Sequence, residues 1–234
     1  MSETIQLTSA DGFTFPAYLA QPVGTPRGAV VVLQEIFGVN AHIRAVTDGY
    51  AAQGYWAIAP ATFHRAKPGV ELGYTGDDQA AGQALKATIE SLPSPGGNPV
   101  TLMVMQDIQA AINAASVHGK VGIVGYCWGG LLTWRSACLL AGLSAAVPYY
   151  GGGMTAGTEP LRHPTVPVLA HFGEKDHWIS LDSVNAFKAA QPGVEVQIYA
   201  ADHGFNCDHR GSYDAPAAKL ALERTLAFFA QYVG

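Results

Sequence analysis

Cys127 stands at the centre of Gly125-Tyr126-Cys127-Trp128-Gly129, between a short apolar β-branched run and an apolar helical pattern. A strand, a sharp turn and a helix would hold the apex side chain on strained backbone, clear of the sheet. Glycines at 125 and 129 suit such a turn, because a Cβ at either place would crowd it. Serine is the usual apex residue; here it is a thiol, whose deprotonated form is the nucleophile. A nucleophile of this kind needs a base, and the base needs an orienting group. His203, in Asp202-His203-Gly204-Phe205, can take the thiol proton and return it to a leaving group. Asp176, in Gly173-Glu174-Lys175-Asp176-His177, can fix the imidazole tautomer and stabilise its charged form. Asp202 is the rival orienter, but a chain neighbour usually points elsewhere, which favours Asp176. Two backbone N–H groups are needed for the developing oxyanion, and those of Trp128 and Ile36 are the candidates.

The elements that must position these groups alternate along the chain. Thr4 to Thr8 and Phe13 to Ala20 read as an antiparallel hairpin at a sheet edge. Gly28 to Leu33 is a continuous apolar run, which predicts a buried central strand. Asn40 can cap a helix to about Gln53, stopped by Gly54. Strands are expected over Tyr55 to Ala59, Val121 to Val124, Ala145 to Tyr150, Val168 to Gly173 and Val194 to Ala200. Helices are expected over Val100 to Ser116, Trp128 to about Leu140, Ser180 to Ala190 and Pro216 to about Tyr232, the last with proline in its first turn. Ala61 to Asn98 is irregular apart from a helical Asp77 to Glu90, and reads as a cap or substrate-facing insertion. After the hairpin this pattern predicts an α/β fold, a mostly parallel doubly wound sheet with right-handed crossovers. No repeat or linker interrupts residues 1–234, so one domain is expected. Ligands in such folds bind beyond the carboxyl ends of the strands. Cys127, Asp176 and His203 each follow a strand directly.

Composition narrows the partners. Of 234 residues, 49% are hydrophobic and 13% charged, which suits a sheet covered by helices. The net charge of −5 and the lack of a basic stripe exclude a nucleic-acid binder. The apolar runs are too short to span a bilayer, and no signal peptide is read at Met1-Ser2-Glu3-Thr4. Three cysteines without paired spacing argue against a disulfide framework and for a reducing, cytoplasmic setting. Cys138 reads as core; Cys207 reads as a pocket-lining or incidental thiol. Phe37, Tyr74 and Trp178 are candidates to line a pocket, while Tyr126 reads as packing. His171, Asp176, His177, His203, Asp208 and His209 include metal-ligand types, but no zinc spacing is present and no metal is expected. No glycine-rich phosphate loop is present, so no cofactor is expected.

The chain resembles the dienelactone hydrolase (carboxymethylenebutenolidase) family of α/β-hydrolases. The residues that carry this are Gln34-Glu35-Ile36-Phe37-Gly38, Gly125-Tyr126-Cys127-Trp128-Gly129-Gly130, Gly173-Glu174-Lys175-Asp176-His177 and His203-Gly204-Phe205. Tyr149-Tyr150-Gly151 and Glu223-Arg224-Thr225 match in place as well. The order nucleophile, acid, histidine is that of α/β-hydrolases. The resemblance implies a Cys127–His203–Asp176 triad, a covalent acyl-enzyme and cleavage of an enol-lactone ester bond. It also implies a role for Glu35, which would remove the proton from a resting thiol when substrate binds. Read without the resemblance, Glu35 is a buried ion-pair partner for an arginine.

Two positions depart from the family's pattern. Its enzymes hold the substrate carboxylate with two arginines, one four residues after the histidine and one in the segment near Asp77 to Gln83. Here the first position is Cys207, and the second segment has no arginine. Arg65 and Arg210 are left as the candidates. The expected function is hydrolysis of a small dienelactone-like lactone. Its alternatives are a carboxylesterase for less acidic esters and a non-catalytic binder of small ligands. A monomer or a small homo-oligomer is expected.

Overall fold

The computed structural model describes residues 1–93 and 102–234. Pro95, Gly96 and Gly97 of the irregular stretch, and Val100 and Thr101 at the start of an expected helix, lie outside the described residues. Eight strands form one sheet: β1 (Ser2–Thr8), β2 (Thr14–Ala20), β3 (Ala29–Leu33), β4 (Trp56–Pro60), β5 (Val121–Tyr126), β6 (Leu143–Tyr149), β7 (Leu169–Gly173) and β8 (Glu195–Tyr199). Their spatial order is β1-β2-β4-β3-β5-β6-β7-β8. The hairpin β1–β2 pairs antiparallel to itself and to β4, and the other six strands run parallel. This is the α/β-hydrolase fold, with the antiparallel hairpin at its N-terminal edge. β3 and β5, at the centre, are buried along their whole length.

Among the described residues, six α-helices flank the sheet: α1 (Ala41–Ala52), α2 (Gly76–Ser91), α3 (Met103–Ser116), α4 (Trp128–Leu139), α5 (Leu181–Ala190) and α6 (Ala215–Tyr232). Two glycines of β5 show the layering. Gly122 and Gly125 are three apart, so they face opposite sides of the sheet. A Cβ at Gly122 would meet Phe229 of α6 at 2.8 Å, and one at Gly125 would meet Thr133 of α4 at 2.5 Å. Tyr50 of α1 packs near Phe229, and Trp134 of α4 packs edge-on to Phe187 of α5. α1 and α6 therefore share one face, and α4 and α5 the other. Local chemistry sets the helix starts. Asn40 accepts the Ile43 N–H, Thr75 and Asp78 form a capping box, and Asp214 accepts the Ala217 N–H.

β5 runs two residues further than the apolar run predicts, because Gly125 and Tyr126 pair with Pro148 and Tyr149 of β6. Arg65 is placed differently from expectation. Its guanidinium donates to both Asp107 oxygens at 2.7 and 2.8 Å and to both Asp11 oxygens at 2.8 and 3.0 Å. It also lies 4.1 Å from the centre of the Phe13 ring. Buried Asp107 and exposed Asp11 thus hold Arg65 between the hairpin loop and α3, and it is not brought to the substrate cavity described below.

Under the sheet's far end, His171 of β7 is fully buried between Tyr199 Oη at 2.8 Å and Thr225 Oγ1 at 3.0 Å. Burial, helped by Arg224, pushes its pKa from 6.5 down to about 3. The unfolded chain binds this proton between those limits and the folded chain does not. Stability therefore rises with pH across that window, by roughly 1.4 kcal/mol per pH unit from this group. His171→Gln is expected to flatten the slope of urea midpoint against pH between about 4 and 6. Parallel slopes for the two proteins would show that His171 is not held neutral.

Candidate active site

β3, β5, β7 and β8 end at the same edge of the sheet, and each hands one chemical group to the loop that follows. Cys127 comes directly after β5 at φ 55°, where a non-glycine residue is strained by about 1–3 kcal/mol. The conformation persists because the turn is tied down. The Cys127 N–H donates to Tyr149 O at 3.1 Å, and its carbonyl accepts from Gly152 and Leu131. The glycines on either side are needed. A Cβ at Gly125 would strike the Gly129 carbonyl, and one at Gly129 would lie 2.6 Å from Leu33 O.

His203 follows β8 and is 5% exposed. Its Nδ1–H donates to Asp176 Oδ2 at 2.7 Å, and the ring packs 5.1 Å from Tyr150. Asp176 follows β7. Its other oxygen accepts the N–H groups of Trp178 and Ile179 at 2.8 and 3.0 Å, so the carboxylate is fixed on both sides. Asp202 is engaged elsewhere, with the backbone N–H of His203 and with His177. Burial opposes the charged imidazole, but the neighbouring Cys127 sulfur, when ionised, and the bond to Asp176 outweigh it and carry the pKa up to about 10. A thiol, an imidazole and a carboxylate arranged in this way can perform nucleophilic acyl transfer. Burial pushes the thiols of Cys138 and Cys207 up to about 12.

Cys127 and His203 open onto a cavity of about 320 Å³. Ile36, Phe37, Trp128, Trp178 and Arg210 line it too, with Gly152 and Gly153. Among the described residues, the N–H groups of Ile36 and Trp128 have no backbone acceptor. Tyr74 is not in the lining; it packs behind Phe37 with ring centres 4.7 Å apart and accepts a hydrogen bond from Asn40. Arg210 donates to Glu35 Oε1 at 3.2 Å, while Glu35 Oε2 is buried with no hydrogen-bond partner. Glu35 is 1% exposed.

Five lining residues were not named as such from the sequence: Gly152 and Gly153 after β6, and Gln79, Gln83 and Lys86 of α2, which lies in the stretch expected to be a cap or to face substrate. The spacing of four and three puts the α2 residues on one helix face, which was a usable signal. An amphipathic reading keeps such a polar face in solvent, so the pattern alone did not point inward. Among the described residues, no acidic side chain lines the cavity, and Lys86 and Arg210 give it positive charge. Among the described residues, no group of three or more His, Cys, Asp or Glu side chains gathers where it could hold a metal ion. No described helix is long and apolar enough to cross a membrane.

Comparison with known proteins gives the family. The profile of the dienelactone hydrolase family matches residues 15–233. A carboxymethylenebutenolidase of Pseudomonas putida is 34% identical, over 98% of this chain and 97% of its own. Among solved structures, a chain from Klebsiella pneumoniae subsp. pneumoniae, provisionally assigned as a dienelactone hydrolase, superposes with a TM-score of 0.80. It is 32% identical and covers 99% of this chain and 100% of itself. A dienelactone hydrolase-like promiscuous phosphotriesterase from metagenomic libraries shares the fold, at 21% identity and a TM-score of 0.75 over 100% of this chain and 99% of its own. The chain belongs to the dienelactone hydrolase family.

Proposed function

We propose that this carboxylic ester hydrolase opens a small lactone that carries a carboxylate, through Cys127, His203 and Asp176. The observation that carries the reading is the shared cavity, where an apex thiol and an Asp176-oriented imidazole meet a lining with Lys86 and Arg210 and no acid. Cys127 Sγ attacks the lactone carbonyl as a thiolate. The carbonyl oxygen gains negative charge between the N–H groups of Ile36 and Trp128. The ring C–O bond then breaks, and the leaving oxygen takes a proton from the His203 imidazolium. A thioester remains on Cys127. Water attacks it, giving its proton to His203, and the thiolate leaves.

Glu35 acts before attack. In the resting state it is paired with Arg210. A substrate carboxylate that draws Arg210 into the cavity releases Glu35, whose unpartnered oxygen can then take the Cys127 proton; His203 enters the reaction already protonated, and Glu35 returns its proton to the sulfur once the thiolate is released. Phe37 and Trp178 give the substrate an apolar wall. The reactive thiolate then forms only when an anionic substrate is present.

A matched panel of anionic enol-lactones and neutral aryl esters tests the substrate class. Anionic lactones are expected to have the higher kcat/KM, by about tenfold or more at low ionic strength, with the gap closing as salt is added. Iodoacetamide is expected to abolish turnover and a chelator to leave it unchanged. A preference for neutral esters that is independent of salt would replace the anionic lactone with a plain carboxylesterase substrate.

A further inference from the structure

We propose that α2 is a bracket that sets the oxyanion hole, and that Glu90 is its positioning residue; this rests on the assignment of Ile36 and Trp128 as the oxyanion donors. α2 is a weakly embedded helix, with only Gly82 and Ile89 buried among its 16 residues. Yet two of its attachments go to the two donor residues. Gly82 approaches the Ile36 carbonyl so closely that a Cβ there would collide with it. Eight residues on, Glu90 Oε1 accepts the indole N–H of Trp128 at 3.1 Å. The indole is 1% exposed and stacks on Phe63 with ring centres 5.0 Å apart. Bond and stack together fix Trp128, the first residue of α4, and so the direction of its backbone N–H.

On either side of Gly82, α2 presents Gln79, Gln83 and Lys86 to the cavity. Lys86 Nζ is 3.8 Å from Glu90 Oε2. One helix thus touches the substrate's charged end and both donors. Binding energy gained away from the reacting carbonyl can be used to hold the donors where charge develops. Glu90 touches neither the substrate nor the reacting atoms; it acts through Trp128.

Two reagents that attack the same sulfur separate this role from general disturbance. A trifluoromethyl ketone forms an Sγ–C bond and leaves its oxygen as an oxyanion. Iodoacetamide forms an Sγ–C bond and expels iodide, with no oxyanion. For Glu90→Ala, the ketone's inhibition constant is expected to rise by about tenfold or more, with kcat falling more than KM changes. The iodoacetamide rate should stay within about twofold. Glu90→Gln keeps the acceptor for the indole and is expected to restore ketone binding. Equal losses with both reagents, unchanged ketone binding, or no restoration by Gln would each overturn the bracket. Those results leave the parent enzyme's thiol chemistry standing. A parent protein whose activity survives Cys127→Ala would instead remove the underlying assignment, and the bracket with it.

Discussion

Cys127→Ala is expected to lower kcat/KM for lactones and aryl esters by on the order of 10⁴-fold or more while leaving the fold intact. The size follows from the site's design. Base, orienter and nucleophile act as a unit, so loss of the attacking atom removes the covalent path rather than weakening it. The residual rate would come from the oxyanion donors and binding alone. Stability should hardly move. Alanine retains the Cβ and the backbone strain at φ 55°, and the turn's hydrogen bonds to Tyr149, Gly152 and Leu131 involve only main-chain atoms. The thiol faces the cavity, so no packed core atom is lost. Cys127→Ser is also expected to be poor. A hydroxyl is a much weaker acid than a thiol, and neither His203 nor a released Glu35 is basic enough to hold it ionised. Steady-state kinetics with a thermal melt on each variant decide the matter. A folded Cys127→Ala protein with near-parental turnover would end the nucleophile assignment. A fully active Cys127→Ser would remove the reason for a carboxylate guard.

Much of the scaffold was legible because its signals are local. The strands β3, β4 and β5 are short apolar runs, α1 begins at its cap Asn40, and α6 carries Pro216 in its first turn. The turn at Cys127 is legible for the same reason, since its glycines sit within two residues of the apex. Which residues pair across the fold was not, although Glu35 was readable as a partner for some arginine. Arg65 binds Asp11 and Asp107, 54 and 42 positions away, and Arg210 binds Glu35 across 175 positions. Charge complementarity at that range depends on how strands are ordered, which no periodicity reveals. Hence Arg65 and Arg210 looked equivalent from the sequence, although one is spent on the hairpin and the other faces the cavity. The inward face of α2 was hidden for a related reason. Glutamine and lysine at helical spacing look solvated until Gly82 is seen to press that helix against Ile36.

Arg210 and Glu35 are expected to respond very differently to removal of charge. Arg210→Gln leaves the Glu35 carboxylate 1% exposed, with one oxygen already unpartnered and the other deprived of its cation. Breaking a buried pair from one side costs about 3–5 kcal/mol. In a chain of this size that lowers Tm by roughly 6–20 °C. Glu35→Gln is the milder change for stability. The amide oxygen still accepts from Arg210, and the guanidinium left behind borders an open cavity. Adding Glu35→Gln to Arg210→Gln should therefore recover most of the lost stability. Activity should divide the other way. Glu35→Gln removes the proton acceptor and is expected to lower kcat for anionic lactones by roughly 10²-fold, the usual worth of a positioned acid or base. Arg210→Gln should raise KM for anionic lactones well above its effect on neutral aryl esters. Melting curves and kinetics on both single variants and the double variant give the full cycle. If Glu35→Gln keeps its activity, Glu35 serves only as the buried partner of Arg210, and a substrate-released guard on Cys127 is ruled out.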